Sequence, residues 1–253
     1  MANVIVLDTE TTDLTKCFCY DCSWVVMDTD TGDLLDIKAN VVEQVWHNLP
    51  LFESAYYKEK RQKYVMMMRK HDAQMNKWGY IMQELKRDIK KYNVTAVYAY
   101  NSEFDDKVIS YNCDWYKCQN PLDNIPVLDI WGYASQFITN KPEYKAFCEK
   151  YERFTDTGNY KGSAEVVYQF LTGDSEFIEE HMGVFDSEIE AAILYACVDQ
   201  FDAEWGKEYK VNKILNRATV IPFKVKVDGE VIYEGEYVKK YVRNNTYAFT
   251  TPE

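Results

Sequence analysis

The order in which apolar runs and helical spacings follow one another constrains this chain most. NVIVLD at 3–8 reads as a strand, and FCYDCSWVVMD at 18–28 as a second one, joined by a short loop. Asp30, Thr31 and Gly32 mark a hairpin turn into a third strand near 33–42. From about 53 to 92 the pattern turns helical, with Tyr64, Met67 and Met68, then Ile81, Leu85 and Ile89, three or four residues apart. VTAVYAYN at 94–101 is a buried strand that leads into a helix near Phe104. A short strand is expected at 126–130 and helices at 131–138, 142–151, 163–172 and 187–205. This succession predicts an α/β layer architecture, a mixed sheet flanked by helices.

After Arg217 the texture changes to alternating apolar residues around Asp228-Gly229, a hairpin signal. The expected organisation is a main domain over 1–217 and a small β-hairpin appendage over 218–253. With 47% apolar residues in 253, the chain can bury a sizeable core and is not disordered. It starts almost directly on a strand and carries no apolar run long enough to span a bilayer. The expectation is a soluble, cytoplasmic protein without a membrane partner. Seven cysteines, an odd and scattered set, argue against a disulfide framework. Cys17, Cys19 and Cys22 are expected on one strand, the first two on one face and the third on the other, which disfavours zinc.

A net charge of −12 argues against non-specific coating of nucleic acid. Residues 58–91 nevertheless hold eleven Lys and Arg against four acids. That stretch reads either as a solvated helix face or as a surface for phosphates.

Three short segments carry candidate chemistry. In IVLDTETTDL, Asp8 and Glu10 lie two apart on a strand and so share a face, where two like charges need a cation between them. In YNSEFDD at 100–106, Asp105 follows the buried strand at a strand-to-helix junction, where functional groups gather; a helix N-terminal acid is the plainer reading. In HMGVFDSEIEAAIL, His181 precedes Asp186 by five residues, and Asp186 is expected to open an amphipathic helix.

Together D-x-E at 8–10, N-x-x-F-D at 101–105 and H-x4-D at 181–186 resemble the three motifs of the DEDDh group, the DnaQ-like 3′→5′ exonucleases of RNase H-like fold. The likeness covers residues 1 to about 205, and the phrase from Ser163 to Leu194 is similar to phage-encoded members, which would place the protein in a bacterial host's cytoplasm. The resemblance implies that Asp8, Glu10, Asp105 and Asp186 hold two divalent cations, Mg²⁺ or Mn²⁺. It implies that His181 is the general base toward the attacking water, with Glu179 and Glu180 expected to raise its pKa. It assigns Thr11, Leu14 and Asn101 to substrate contacts, Leu14 as a wedge against the terminal base. Two positions depart from the group: Asp13, where many relatives carry glycine, and Met182-Gly183, where a pair such as Thr-Ala is common; Gly183 is expected to loosen the loop bearing His181. The implied substrate is single-stranded nucleic acid with a free 3′ end, DNA favoured. An exoribonuclease or oligoribonuclease is the alternative, as is a binding module whose β appendage docks a DNA polymerase or replication protein.

Overall fold

The computed structural model describes residues 2–156 and 158–211 and, for their backbone, strands at 219–227, 230–242 and 246–250. The main sheet comprises β1 (Asn3–Thr11), β2 (Cys19–Asp28), β3 (Leu34–Lys38), β4 (Asn40–Val42), β5 (Gln74–Asn76), β6 (Val94–Ala99) and β7 (Val127–Asp129). Its order is β5-β4-β2-β1-β6-β7, with β3 also on β2. β2 runs antiparallel to β1, whereas β6 is parallel to β1 and β7 to β6. The ends of β1, β6 and β7 that carry Thr11, Ala99 and Asp129 therefore share one edge.

Around the sheet lie α1 (Glu43–Trp46), α2 (Leu49–Phe52), α3 (Arg61–Lys70), α4 (Trp78–Lys91), α5 (Ser102–Tyr116), α6 (Ile130–Phe137), α7 (Pro142–Lys150), α8 (Ala164–Thr172) and α9 (Gly183–Asp199). Strand alternation sends Ile5, Leu7, Trp24 and Val26 to one face, against Ile81 and Leu85 of α4 and Val108 and Ile109 of α5. Val4, Val6, Val25 and Met27 face the other way, against Tyr133 of α6, Val167 of α8 and Ile193 and Leu194 of α9. Burial on both faces is why β1 and β2 read as nearly unbroken apolar runs. The mixed sheet flanked by helices agrees with the expected fold.

Several boundaries differ from the sequence reading. The third strand is two strands, β3 and β4, which pair with separate stretches of β2 on either side of Ala39. The helical stretch 53–92 is interrupted by β5, whose three residues add a parallel edge to β4. α9 begins at Gly183 and ends at Asp199, so Asp186 lies within its first turn rather than opening it. A register shift between Glu10 and Thr11 skips Tyr20 on β2, so Thr9 pairs with Cys22 and Thr11 with Cys19. Cys19 and Cys22 thereby join the same buried cluster as Cys17, which corrects their expected separation. All seven cysteines are free thiols.

The last three strands, β8 (Thr219–Val227), β9 (Glu230–Val242) and β10 (Thr246–Thr250), form a second antiparallel sheet in the order β10-β9-β8. It has one strand more than the expected hairpin, and the Asp228-Gly229 turn lies outside the described residues. Among the described residues, no helix is long and apolar enough to cross a membrane.

Candidate active site

β1 ends the sheet's central pair with Asp8 and Glu10 on the face covered by α9, and α9 brings Asp186 to them. One oxygen from each of these three carboxylates lies within 4.8 Å of the others. Asp105 arrives from the opposite face. Its Oδ1 accepts hydrogen bonds from the backbone N–H of Thr9 at 2.9 Å and from Thr9 Oγ1 at 2.7 Å. Asp105 is thus fixed to the residue between Asp8 and Glu10, outside that triad.

Two carboxylate oxygens, Asp8 Oδ2 and Asp186 Oδ1, are buried without a hydrogen-bond partner. Burial pushes Asp8 and Glu10 well above the usual carboxylate range, and Asp186 adds to both. Asp186 is raised to about 8 by burial, then by Glu179 and Asp21. Asp105 rises to about 7 through burial, against the pull of its Thr9 hydrogen bonds. A site made of hard oxygen donors, mutually repelling and short of partners, fits divalent cations such as Mg²⁺ or Mn²⁺; it contains no thiolate.

His181 meets Asp186 in a second cluster, with Glu179, whose ligand atoms also lie within 4.8 Å of one another. His181 Nδ1 stands 3.7 Å from Glu179 Oε2. The His181 backbone is left-handed, φ 48°. Its pKa is lowered, chiefly by burial and then by Lys60, contrary to the expected rise. The acids expected to raise it have other neighbours: Glu180 pairs with Lys63, and burial pushes Glu179 itself up to about 7. A neutral imidazole at pH 7 is the consequence.

Gly183 does the opposite of loosening this loop. Its N–H donates to Asp21 Oδ2 at 2.9 Å, capping α9, whose own N-cap residue Met182 supplies no side-chain bond. A Cβ at Gly183 would stand 2.9 Å from Asp21 Oδ1. Asp21, 1% exposed, also accepts from Tyr64 Oη at 2.6 Å and from Ser23 Oγ. One carboxylate thus ties β2, α3 and the start of α9 together. Asp13, the other departure, turns back on its own loop: its Oδ1 accepts from the N–H groups of Thr15 and Lys16, both at 2.7 Å.

The three expected substrate residues lie at or just after the C-terminal ends of β1 and β6. Thr11 closes β1, half-buried. Leu14 is 75% exposed on the loop after it, and Lys107 Nζ donates to its carbonyl at 3.3 Å. Asn101 is exposed and left-handed, φ 66°, and its N–H donates to Asp129 Oδ1 at 2.9 Å. The same oxygen accepts from Trp131 N–H at 2.9 Å, so Asp129 caps α6 while holding the turn before α5.

Sequence reasoning missed Asp21, Glu190 and Tyr57. Glu190 is buried on α9, one turn beyond Asp186; it accepts from Tyr100 N–H at 3.1 Å and adds a further negative charge beside Asp8. Its spacing from Asp186, four residues on one helix, was a visible signal. Tyr57 stacks on His181, with centroids 4.5 Å apart and planes 12° apart. Lys60 Nζ stands 5.0 Å from the Tyr57 ring centre.

The basic stretch 58–91 divides between the two edges of the sheet. Lys60 and Lys63 flank the acidic cluster. The α4 end is remote: Tyr92 carbonyl accepts from Asn3 Nδ2 at 2.6 Å, at the start of β1, about 23 Å from Glu10 at strand rise. There Lys91 faces Asp36 at 3.6 Å and Arg87 faces Glu84 at 3.5 Å.

No protein-family model matches the sequence, and no curated protein does. Solved structures do. A 3′-exonuclease that recognises the 3′ end of a histone mRNA stem-loop superposes with TM-score 0.51 at 10% identity, over 91% of this chain and 89% of that one. The chain shares that structure's fold. E. coli exonuclease I in complex with a dT13 oligonucleotide shares this fold with TM-score 0.51 and 12% identity, over 79% of this chain. The chain spans about 40% of the length of that protein.

Proposed function

We propose that this protein is a metal-dependent 3′→5′ exonuclease that hydrolyses phosphodiester bonds at the 3′ ends of single-stranded DNA. The observation that carries the reading is the meeting of Asp8, Glu10 and Asp186 oxygens within 4.8 Å, beside His181, in a cluster where Asp8 and Asp186 each bury an oxygen without a partner. Asp8, Glu10, Asp105 and Asp186 would hold two divalent cations, which supply Lewis-acid stabilisation of charge on the phosphate when bound.

The remaining chemistry belongs to the chain's own side chains. His181, kept neutral at pH 7 by burial and Lys60, accepts the proton of the attacking water at an imidazole nitrogen. Glu179, with Oε2 3.7 Å from Nδ1, stabilises the imidazolium that results. Thr11 and Asn101 line the approach, and exposed Leu14 is free to press against the terminal base. Lys60 and Lys63 offer positive charge to the strand that follows. Residues 1–217 form the catalytic domain, and 218–253, with its own sheet, are an appendage to it.

RNA is the second substrate reading, favoured by the fold shared with the histone mRNA exonuclease. A 5′-labelled strand of DNA or RNA, incubated with Mg²⁺ or Mn²⁺, is expected to shorten stepwise from its 3′ end. EDTA and Asp8→Asn are expected to stop it. If neither sugar is shortened under any metal, the proposal fails.

A further inference from the structure

The general base lacks an anchor of its own. His181 sits in a left-handed backbone before α9, and among the described residues no hydrogen bond fixes its ring. Its nearest carboxylate, Glu179, is 3.7 Å from Nδ1, beyond hydrogen-bond reach. The only flat surface against the imidazole, among the described residues, is Tyr57, stacked at 4.5 Å and 12°.

Tyr57 comes from a segment far away in sequence, between α2 and α3, and the helices on either side of that segment are packed. Tyr20, Trp46, Phe52 and Tyr64 pack edge to face in a buried cluster around it, with centroids 5.2 to 6.2 Å apart. Arg61 lies over Trp46 at 4.3 Å and over Phe52 at 4.8 Å. The Tyr64 hydroxyl locks α3 to Asp21, and Asp21 in turn holds Gly183, two residues after His181. The phenol and the imidazole are therefore carried by two segments joined through one carboxylate.

We propose that Tyr57 is the positioning residue of the base. Its ring fixes the plane of the His181 imidazole, so that one nitrogen is already aimed when the water arrives. This inference rests on the exonuclease reading above. An aromatic face orients the imidazole without competing for its nitrogens, and its negative quadrupole favours the imidazolium formed by proton transfer. Burial holds the Tyr57 phenol at about 12, so Tyr57 stays protonated and is not itself the base. The requirement is for an aromatic face and not for a hydroxyl.

Tyr57→Phe and Tyr57→Leu test this on the full chain, with single-stranded DNA and Mn²⁺. Tyr57→Leu is expected to lower kcat by about tenfold or more, with KM within about twofold, as a misplaced catalytic group does. Tyr57→Phe is expected to retain wild-type kcat. The imidazole resonances give a second measurement that needs no turnover. The chain has three histidines, and His181→Gln identifies the one in question. Its ring protons are expected to show an upfield ring-current shift in the wild type and in Tyr57→Phe, and to lose it in Tyr57→Leu. A raised KM with unchanged kcat would make Tyr57 a substrate contact and overturn the proposal. So would a Tyr57→Phe variant as impaired as Tyr57→Leu, or His181 resonances that do not move. A wild-type protein that shortens no strand refutes the exonuclease reading instead, a result the resonances do not mimic.

Discussion

Replacing Gly183 by alanine puts a methyl group 2.9 Å from Asp21 Oδ1, 3.1 Å from Asp21 Cγ and 3.1 Å from Ser23 Cβ. All three neighbours are buried, and Asp21 is held by Tyr64 and Ser23, so it has little room to retreat. Overpacking of this kind costs about 1–3 kcal/mol. Weakening the charged bond from Gly183 N–H to Asp21 adds about 1 kcal/mol or more. Alanine's better helix propensity returns up to about 1 kcal/mol. The net expectation is a destabilisation of about 1–3 kcal/mol, measured by urea unfolding with equal slopes for both proteins. The clash belongs to a pair, so it should shrink when the partner is cut back. In an Asp21→Ala background the Oδ1 and Cγ atoms are gone, and Gly183→Ala should cost at least about 1 kcal/mol less than in the wild type. Additivity within about 0.5 kcal/mol, or a Gly183→Ala protein as stable as the wild type, would refute the clamp.

Two further outcomes concern charge and capping. Carboxyls whose folded pKa lies above the unfolded value of about 4 keep protons that the unfolded chain has lost, so stability falls as pH rises. With Asp105 and Glu179 near 7 and Asp186 near 8, the metal-free protein should melt at higher temperature as pH is lowered from about 8 to 6; each retained proton contributes about 1.4 kcal/mol per pH unit. Mn²⁺ should flatten that slope by neutralising the cluster, and Asp8→Asn should raise metal-free stability while weakening the Mn²⁺ effect; a melting temperature indifferent to pH, or lowered by Asp8→Asn, contradicts both. Asp129→Ala should cost about 1–2 kcal/mol by uncapping α6 and releasing Asn101; a loss below about 0.5 kcal/mol in chemical denaturation would mean that water replaces both bonds.

The candidate site was legible where a local rule applied. Asp8 and Glu10 share a face because strand side chains alternate, and β1 is a strand. Asp105 and Asp186 were singled out by the motifs N-x-x-F-D and H-x4-D, since a position at the start of a helix is by itself explained by the helix dipole. Gly183 was misjudged: its lack of a side chain reads as freedom in one dimension, whereas in the fold the space belongs to Asp21. The basic stretch stayed open between two readings, since helix spacing does not reveal that α4 carries its lysines to the far edge of the sheet. The short strand β5 escaped notice because three residues carry too little periodicity to distinguish them from a turn, and the break between β3 and β4 at Ala39 left no mark in the pattern.

Period and turn chemistry act over a few residues, and they sufficed for the layered α/β architecture and the order of its main elements; the candidate ligand set rested on the resemblance carried by three short motifs. The pairing of Tyr57 with His181, the cap that Asp21 gives to α9, the fifth carboxylate at Glu190 and the lowered pKa of His181 all depend on groups far apart in the chain. Only packing decides which distant charge or ring comes within a few ångströms. Desolvation, the largest cause of the shifts at Asp8, Glu10, Asp186 and His181, does not exist until the chain has folded around them.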